Sequence, residues 1–242
     1  MRVAVLSDIH GNLNALEAVL AALEADPPGE LWCLGDLVGY GARPNECCRA
    51  IEAGASICLA GNHDLAVRGT IDLAEFSGDA GAAASWTRTV LSEEARSYLD
   101  RLQPEGSRAD VGLFHASARD PVWEYVLSDE SAVATLELTE EPLVLVGHSH
   151  AALQIALRDG VLAGGLAPAG TEIDLRSGRA LLNPGSVGQP RDGDPRAAYL
   201  ILDLAAHTAS FRRVEYDIER TQEEIREAGL PDALAARLAF GL

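Results

Sequence analysis

The chain reads as an α/β protein built from two packed mixed sheets with helices outside them. Three observations carry this reading. Over residues 2–64, short apolar runs alternate with helical stripes, the pattern of parallel strands joined by crossovers. Beyond residue 104, apolar runs and tight turns crowd together, as in antiparallel hairpins. The length, 242 residues, suits one well-buried core, so a single domain over residues 1–242 is expected.

Residues 2–6, Arg-Val-Ala-Val-Leu, make a buried strand. A helix follows from Leu13, capped by Asn12, with Leu13, Leu16, Leu20 and Leu23 on one stripe. Ala25-Asp26-Pro27-Pro28-Gly29 stops it. Residues 30–34 form a second strand, 44–53 a helix opened by Pro44, and 56–59 a third strand. Residues 65–104 read as a helical insertion, with an alanine-rich stretch at 78–85 and a helix near 92–102. Strands return at 111–114, 143–146 and 153–157, and Arg158-Asp159-Gly160 makes a hairpin turn. Further β-runs lie at 171–175, 180–182, 198–202 and 209–214. The tail, 218–242, is helical with a break at Gly229-Leu230-Pro231.

The net charge is −18, and all nineteen basic residues are arginine. Such a surface repels polyanions, so a long nucleic acid is not an expected partner. No apolar run approaches the roughly 20 residues that span a bilayer, and no signal-peptide pattern precedes the first strand. A cytoplasmic location with no membrane contact is expected. Cys33 and Cys58 fall in apolar runs and Cys47-Cys48 on a helix, where they read as structural thiols. Oligomeric state leaves no mark on the sequence.

Five of the six histidines stand in short motifs at the ends of apolar β-runs. These are Asp8-Ile9-His10, Asn62-His63-Asp64, Phe114-His115-Ala116 and Gly147-His148-Ser149-His150, with Gly35-Asp36 a fifth motif without histidine. Loops after parallel strands gather on one edge, where α/β ligand sites form. The spacing of two in Asp8/His10 and His148/His150 lets both side chains point one way from an extended segment. Glycine before Asp36 and Asn62 permits close backbone approach. Histidine, carboxylate and amide together suit Mn, Fe or Zn. His207 belongs to no motif and reads as solvated.

In this order, with Gly11-Asn12 continuing the first block, the motifs resemble the five-block signature of calcineurin-like metallophosphoesterases. Asn183-Pro184-Gly185-Ser186-Val187-Gly188 resembles the closing loop of that superfamily's small bacterial phosphodiesterase branch. The resemblance implies a four-layer α/β/β/α sandwich holding two divalent metal ions. One metal would take Asp8, His10, Asp36 and His150; the other would take Asp36, Asn62, His115 and His148, with Asp36 bridging. It further implies hydrolysis of a phosphate ester by in-line attack of a metal-bridging hydroxide, the metals standing about 3.5–4 Å apart. His63 would be the general acid or a phosphate contact beside Asn62, and Asp64 would orient its other ring nitrogen.

The segment after Asp36 separates substrate classes. Protein phosphatase and symmetrical dinucleotide-tetraphosphatase branches carry an arginine there that clamps phosphate. Here Gly39-Tyr40-Gly41 stands instead, and Arg43 lies beyond it. A dianionic monoester gains most from such a clamp, so its loss favours a phosphodiester. The expected substrate is a small phosphate ester, nucleotide-like ones included, with Tyr40 and Trp123 as candidate stacking partners and Arg191 as a candidate phosphate contact. The alternatives are a phosphomonoesterase or dinucleotide polyphosphate hydrolase and, from another class, a non-catalytic metal-binding scaffold. The complete ligand set and His63 argue against the scaffold.

Overall fold

The computed structural model describes residues 1–76 and 78–242. Its first half follows the alternation read above: β1 (Arg2–Leu6), α1 (Leu13–Glu24), β2 (Glu30–Cys33), α2 (Pro44–Gly54), β3 (Ile57–Cys58) and α3 (Asn62–Arg68). Next come α4 (Gly78–Val90) and α5 (Glu93–Leu99). The second half runs β4 (Glu105–Arg108), β5 (Val111–Phe114), α6 (Asp129–Glu137), β6 (Leu143–Leu145), β7 (Ala152–Arg158) and β8 (Val161–Leu166). It closes with β9 (Glu172–Asp174), β10 (Arg179–Pro184), β11 (Ala197–Asp203), β12 (Thr208–Val214), α7 (Ile218–Glu227) and α8 (Asp232–Ala236).

Two six-stranded sheets result, ordered β3-β2-β1-β11-β12-β9 and β4-β5-β6-β10-β7-β8. In the first, β1 pairs parallel with β2 and antiparallel with β11; in the second, β6 pairs parallel with both β5 and β10. Both faces of the central strands are buried, which is why their sequences read as continuous apolar runs. From β1, Val3 and Val5 join Trp32, Leu113, Leu145 and Leu182 in the core between the sheets. Ala4 and Leu6 point the other way, onto Leu16 and Val19 of α1 and Ile51 of α2. Outside the second sheet, Val144 and Leu181 pack on Ala132 and Leu136 of α6. The order helix, sheet, sheet, helix is the expected four-layer sandwich.

Local details follow their chemistry. Asn12 caps α1 by accepting from the Ala15 N–H at 3.1 Å. The turn between β7 and β8 has positive φ at both central residues, Asp159 (50°) and Gly160 (76°), as a right-twisted two-residue hairpin demands. Gly229 (φ 70°) separates α7 from α8. These two helices pack with α4 around Leu230, Leu234 and Leu238, and Tyr40 rests against this cluster. No described helix is long and apolar enough to cross a membrane.

Three elements escaped the sequence reading. The strand β4, Glu-Gly-Ser-Arg, is exposed throughout and held by backbone pairing at a sheet edge, so no apolar alternation marks it. Helix α6 is capped reciprocally by Ser128 and Ser131 and buries only a thin stripe. At α3, Asn62-His63-Asp64 open a helix directly after the third strand, because the Asp64 carboxylate returns to the Gly61 N–H at 2.9 Å.

Candidate active site

The motifs converge on one rim of the sandwich. Asp8 and His10 follow β1, Asp36 follows β2, Asn62 and His63 open α3, and His115 follows β5, while His148 and His150 lie between β6 and β7. One donor atom from each of Asp8, His10, Asp36 and His150 lies within 4.8 Å of the others, and the same holds for Asp36, His115 and His148. Asp36 belongs to both sets. Its Oδ2 stands 3.5 Å from His10 Nε2 and 3.6 Å from His115 Nε2, while Asp8 Oδ1 stands 3.4 Å from His150 Nε2. Asn62 Oδ1 lies 3.2 Å from His115 Nε2.

Backbone carbonyls fix the tautomers of the histidines. His10 Nδ1 faces Val38 O at 3.0 Å, His115 Nδ1 faces Leu34 O at 2.9 Å, and His150 Nδ1 faces Gln189 O at 2.7 Å. Each Nδ1 must therefore carry the proton, leaving a lone pair on Nε2. His148 is reversed: its Nε2–H donates to Trp123 O at 3.2 Å, which frees Nδ1. The consequence is sharpest where His10 Nε2 and His150 Nε2 face each other at 3.0 Å, two lone pairs with no proton between them.

The carboxylates repeat the arrangement. Asp8 Oδ2 accepts from the His148 N–H at 3.1 Å and Asp36 Oδ1 from the His63 N–H at 2.9 Å. Asp8 Oδ1 and Asp36 Oδ2 are buried with no partner. Burial pushes the Asp8 carboxyl up to about 7 and Asp36 well above the usual carboxylate range, Asp64 adding to the latter. Burial also holds His10, His148 and His150 well below the usual histidine value. Inward-facing lone pairs and orphaned carboxylate oxygens are expensive to bury alone, and a divalent cation in each donor set would offset that cost.

Local backbone geometry makes the convergence possible. Asp8, His10, Asp36, His148 and His150 all have φ between 50° and 63°. The paired side chains thus do not leave an extended segment, as the spacing of two suggested; a left-handed residue at each position turns them inward. Such φ values in side-chain-bearing residues are strained and recur at functional sites. Gly61 meets the expectation of close approach: a Cβ there would lie 1.9 Å from Asp36 Oδ1. The 183–188 loop ties down the first and last motifs, Ser186 Oγ donating to Asp8 O at 2.7 Å and Asn183 Nδ2 to Gly147 O at 2.7 Å.

Comparison with known proteins agrees with this architecture. The calcineurin-like phosphoesterase superfamily domain matches residues 1–207. The chain belongs to that superfamily. It is 41% identical to a metallophosphoesterase from Sphaerobacter thermophilus, whose crystal structure superposes with a TM-score of 0.91 over 100% of this chain and 99% of that one. The protein MJ0912 of Methanocaldococcus jannaschii is 38% identical over 244 residues, covering 99% of this chain and 98% of its own. A symmetrical bis(5'-nucleosyl)-tetraphosphatase of Actinobacillus pleuropneumoniae shares 35% identity over 74 residues, 29% of this chain and 27% of its own.

One expectation about the residues beside the donor sets needs correction. Asp64 does not orient His63. Its carboxylate accepts from the N–H groups of Leu37, Val38 and Gly61, fastening the loop after β2 to the start of α3. His63 Nδ1 is buried without a partner, its ring held between Tyr40 and Phe76 at centroid distances of 4.5 and 4.9 Å. Burial and then Arg191 push His63 down to about 3, so the ring is neutral.

Arg191 reaches the site from the far side of the chain. Its guanidinium lies over the Tyr40 ring, 5.6 Å from the centroid, and Nη2 donates to Gln189 Oε1 at 2.8 Å. Arg191 and Tyr40 line a cavity of about 260 Å³ with Asp36, Asn62, His63 and His148. Its remaining wall includes Phe76 and Tyr125, which no motif marked, and Trp123. His207 is exposed, as expected.

Proposed function

We propose that this chain is a hydrolase of small phosphate esters that works with two divalent cations. The observation that carries the reading is the mutual facing of buried lone pairs, His10 Nε2 and His150 Nε2 at 3.0 Å above all. Asp8, His10, Asp36 and His150 would hold one cation and Asp36, Asn62, His115 and His148 the other. When bound, such a pair supplies a nucleophile at neutral pH and offsets charge on the phosphoryl oxygens.

The remaining side chains divide the other tasks. Arg191, with a buried and unpartnered Nε, binds phosphate and orients it toward the donor sets. His63 stays neutral in the free site and offers one N–H; an arriving phosphate dianion reverses the local field and raises its affinity for a second proton. Proton donation to the leaving oxygen is then the role for which His63 is placed.

Arg191 also changes the ranking of ester classes. The preference for a diester rested on a phosphate clamp missing after Asp36. A guanidinium supplied from residue 191 fills that place, and a dianionic monoester is then the better match.

Protein stripped of metal by a chelator is expected to lose hydrolysis of p-nitrophenyl phosphate and to regain it with Mn²⁺. The Mn²⁺ concentration for half-restoration should fall as pH rises from 6 through 7. Asp8, pushed up to about 7, keeps its proton below that pH. A cation must displace this proton, so affinity is weakest on the acid side and gains about tenfold per pH unit for each carboxyl proton released. Activity that survives complete metal removal would refute the proposal.

A further inference from the structure

The wall of the cavity opposite Arg191 is aromatic. The chain has only three Trp, five Tyr and four Phe, yet Tyr40, Phe76, Trp123 and Tyr125 all line this one cavity. Their contacts form a connected series. The Arg191 guanidinium lies 5.6 Å from the Tyr40 centroid, Tyr40 lies 4.5 Å from His63, His63 4.9 Å from Phe76, and Phe76 5.3 Å from Trp123. One end is cationic and the other flat and apolar.

The aromatic end is not sealed into the core. Phe76 and Trp123 are only partly buried, and Tyr125 is 46% exposed while it stacks on His148 at 4.1 Å with an interplanar angle of 12°. Large rings left wet around a cavity are poor packing and good recognition surface. Glu75 beside them carries a charge that repels phosphate from this end and leaves the phosphoryl group to Arg191.

We infer that Phe76, Trp123 and Tyr125 form a leaving-group subsite that selects phosphomonoesters whose leaving group carries one flat ring, whether a nucleobase or an aryl group. The inference rests on the proposed phosphoesterase activity and adds the chemistry of the ester's other half. Trp123 makes two contributions from one position. Its carbonyl holds the His148 tautomer, and its indole, next to Phe76, offers the face on which a ring stacks. The backbone contact survives substitution of the side chain, so the two contributions separate experimentally.

The test compares esters that differ only in the ring. Adenosine 5'-monophosphate and ribose 5-phosphate share a primary alkoxide leaving group, as do benzyl and ethyl phosphate. With the Mn²⁺-loaded enzyme, the ring-bearing member of at least one pair should show kcat/KM higher by about tenfold or more, the scale of one base stacked on an aromatic side chain. The first pair reads a nucleoside and the second an aryl group. Trp123→Ala should bring that ratio close to one, Trp123→Phe should keep most of it, and Phe76→Leu should lower it. Ratios near one in both pairs, or a ratio unchanged in Trp123→Ala, would overturn the inference. Calorimetric binding of the same pairs to the Mn²⁺-loaded protein gives a second reading. If no ester is cleaved, the phosphoesterase proposal fails, yet tenfold tighter binding of a ring-bearing ester still supports the subsite and equal binding refutes it.

Discussion

Asp36→Asn is expected to lower phosphate-ester hydrolysis by at least about a thousandfold while leaving the protein folded. Asp36 alone belongs to both donor sets. Its Oδ1 accepts from the His63 N–H, and the free Oδ2 stands 3.5 Å from His10 Nε2 and 3.6 Å from His115 Nε2. The amide keeps the shape and one acceptor but removes the negative charge that two cations would share. Loss of Lewis-acid assistance costs several kcal/mol, and about 4 kcal/mol is a thousandfold in rate. Melting should move the other way: the carboxyl is held well above its usual range by burial, so a neutral isostere relieves a desolvation cost in the metal-free protein. Metal-free Asp36→Asn should therefore melt no lower than the metal-free parent, and Mn²⁺ should stabilise it far less. Retention of a tenth of the parent's activity would contradict this assignment.

Arg191→Ala should separate monoesters from diesters. The arginine is tied to the site by its backbone, its N–H donating to His150 O at 3.0 Å, and by Gln189 Oε1 at 2.8 Å from Nη2. Gln189 in turn gives its carbonyl to His150 Nδ1, so the loop that carries the guanidinium is anchored to a member of the first donor set. A positioned charge-assisted donor is worth about 3 kcal/mol, or about a hundredfold. For p-nitrophenyl phosphate kcat/KM should fall by about that factor, and for bis-p-nitrophenyl phosphate, with one charge fewer, by less than about tenfold. Arg191→Lys should recover only part, because an ammonium lacks the planar fork. Equal losses on both esters would return the preference to the diester.

The sequence showed this site unevenly, for physical reasons. Asp8, His10, Asp36, Asn62, His115, His148 and His150 were legible as candidate ligands because parallel strands deliver their ends to one rim and each follows an apolar run. Which nitrogen each histidine presents was not, because Val38, Leu34, Gln189 and Trp123 set the tautomers through backbone carbonyls. Backbone contacts carry no residue code. Asp64 illustrates the opposite trap. Adjacent to His63 in sequence, it caps the start of α3 instead, since a helix turns neighbouring side chains apart. Phe76 and Tyr125 stand in connections with no motif, and only the folded chain brings them beside His63 and His148. The edge strand β4 left no trace because backbone pairing, without apolar burial, holds it.

Residues scattered from Asp8 to His150 are expected to hold a pair of cations. Anomalous scattering from a crystal grown with Mn²⁺ tests it most directly. Two peaks are predicted, one among Asp8, His10, Asp36 and His150 and one among Asp36, Asn62, His115 and His148. A map with no anomalous density at Asp36, or with manganese bound only at other residues, would contradict it.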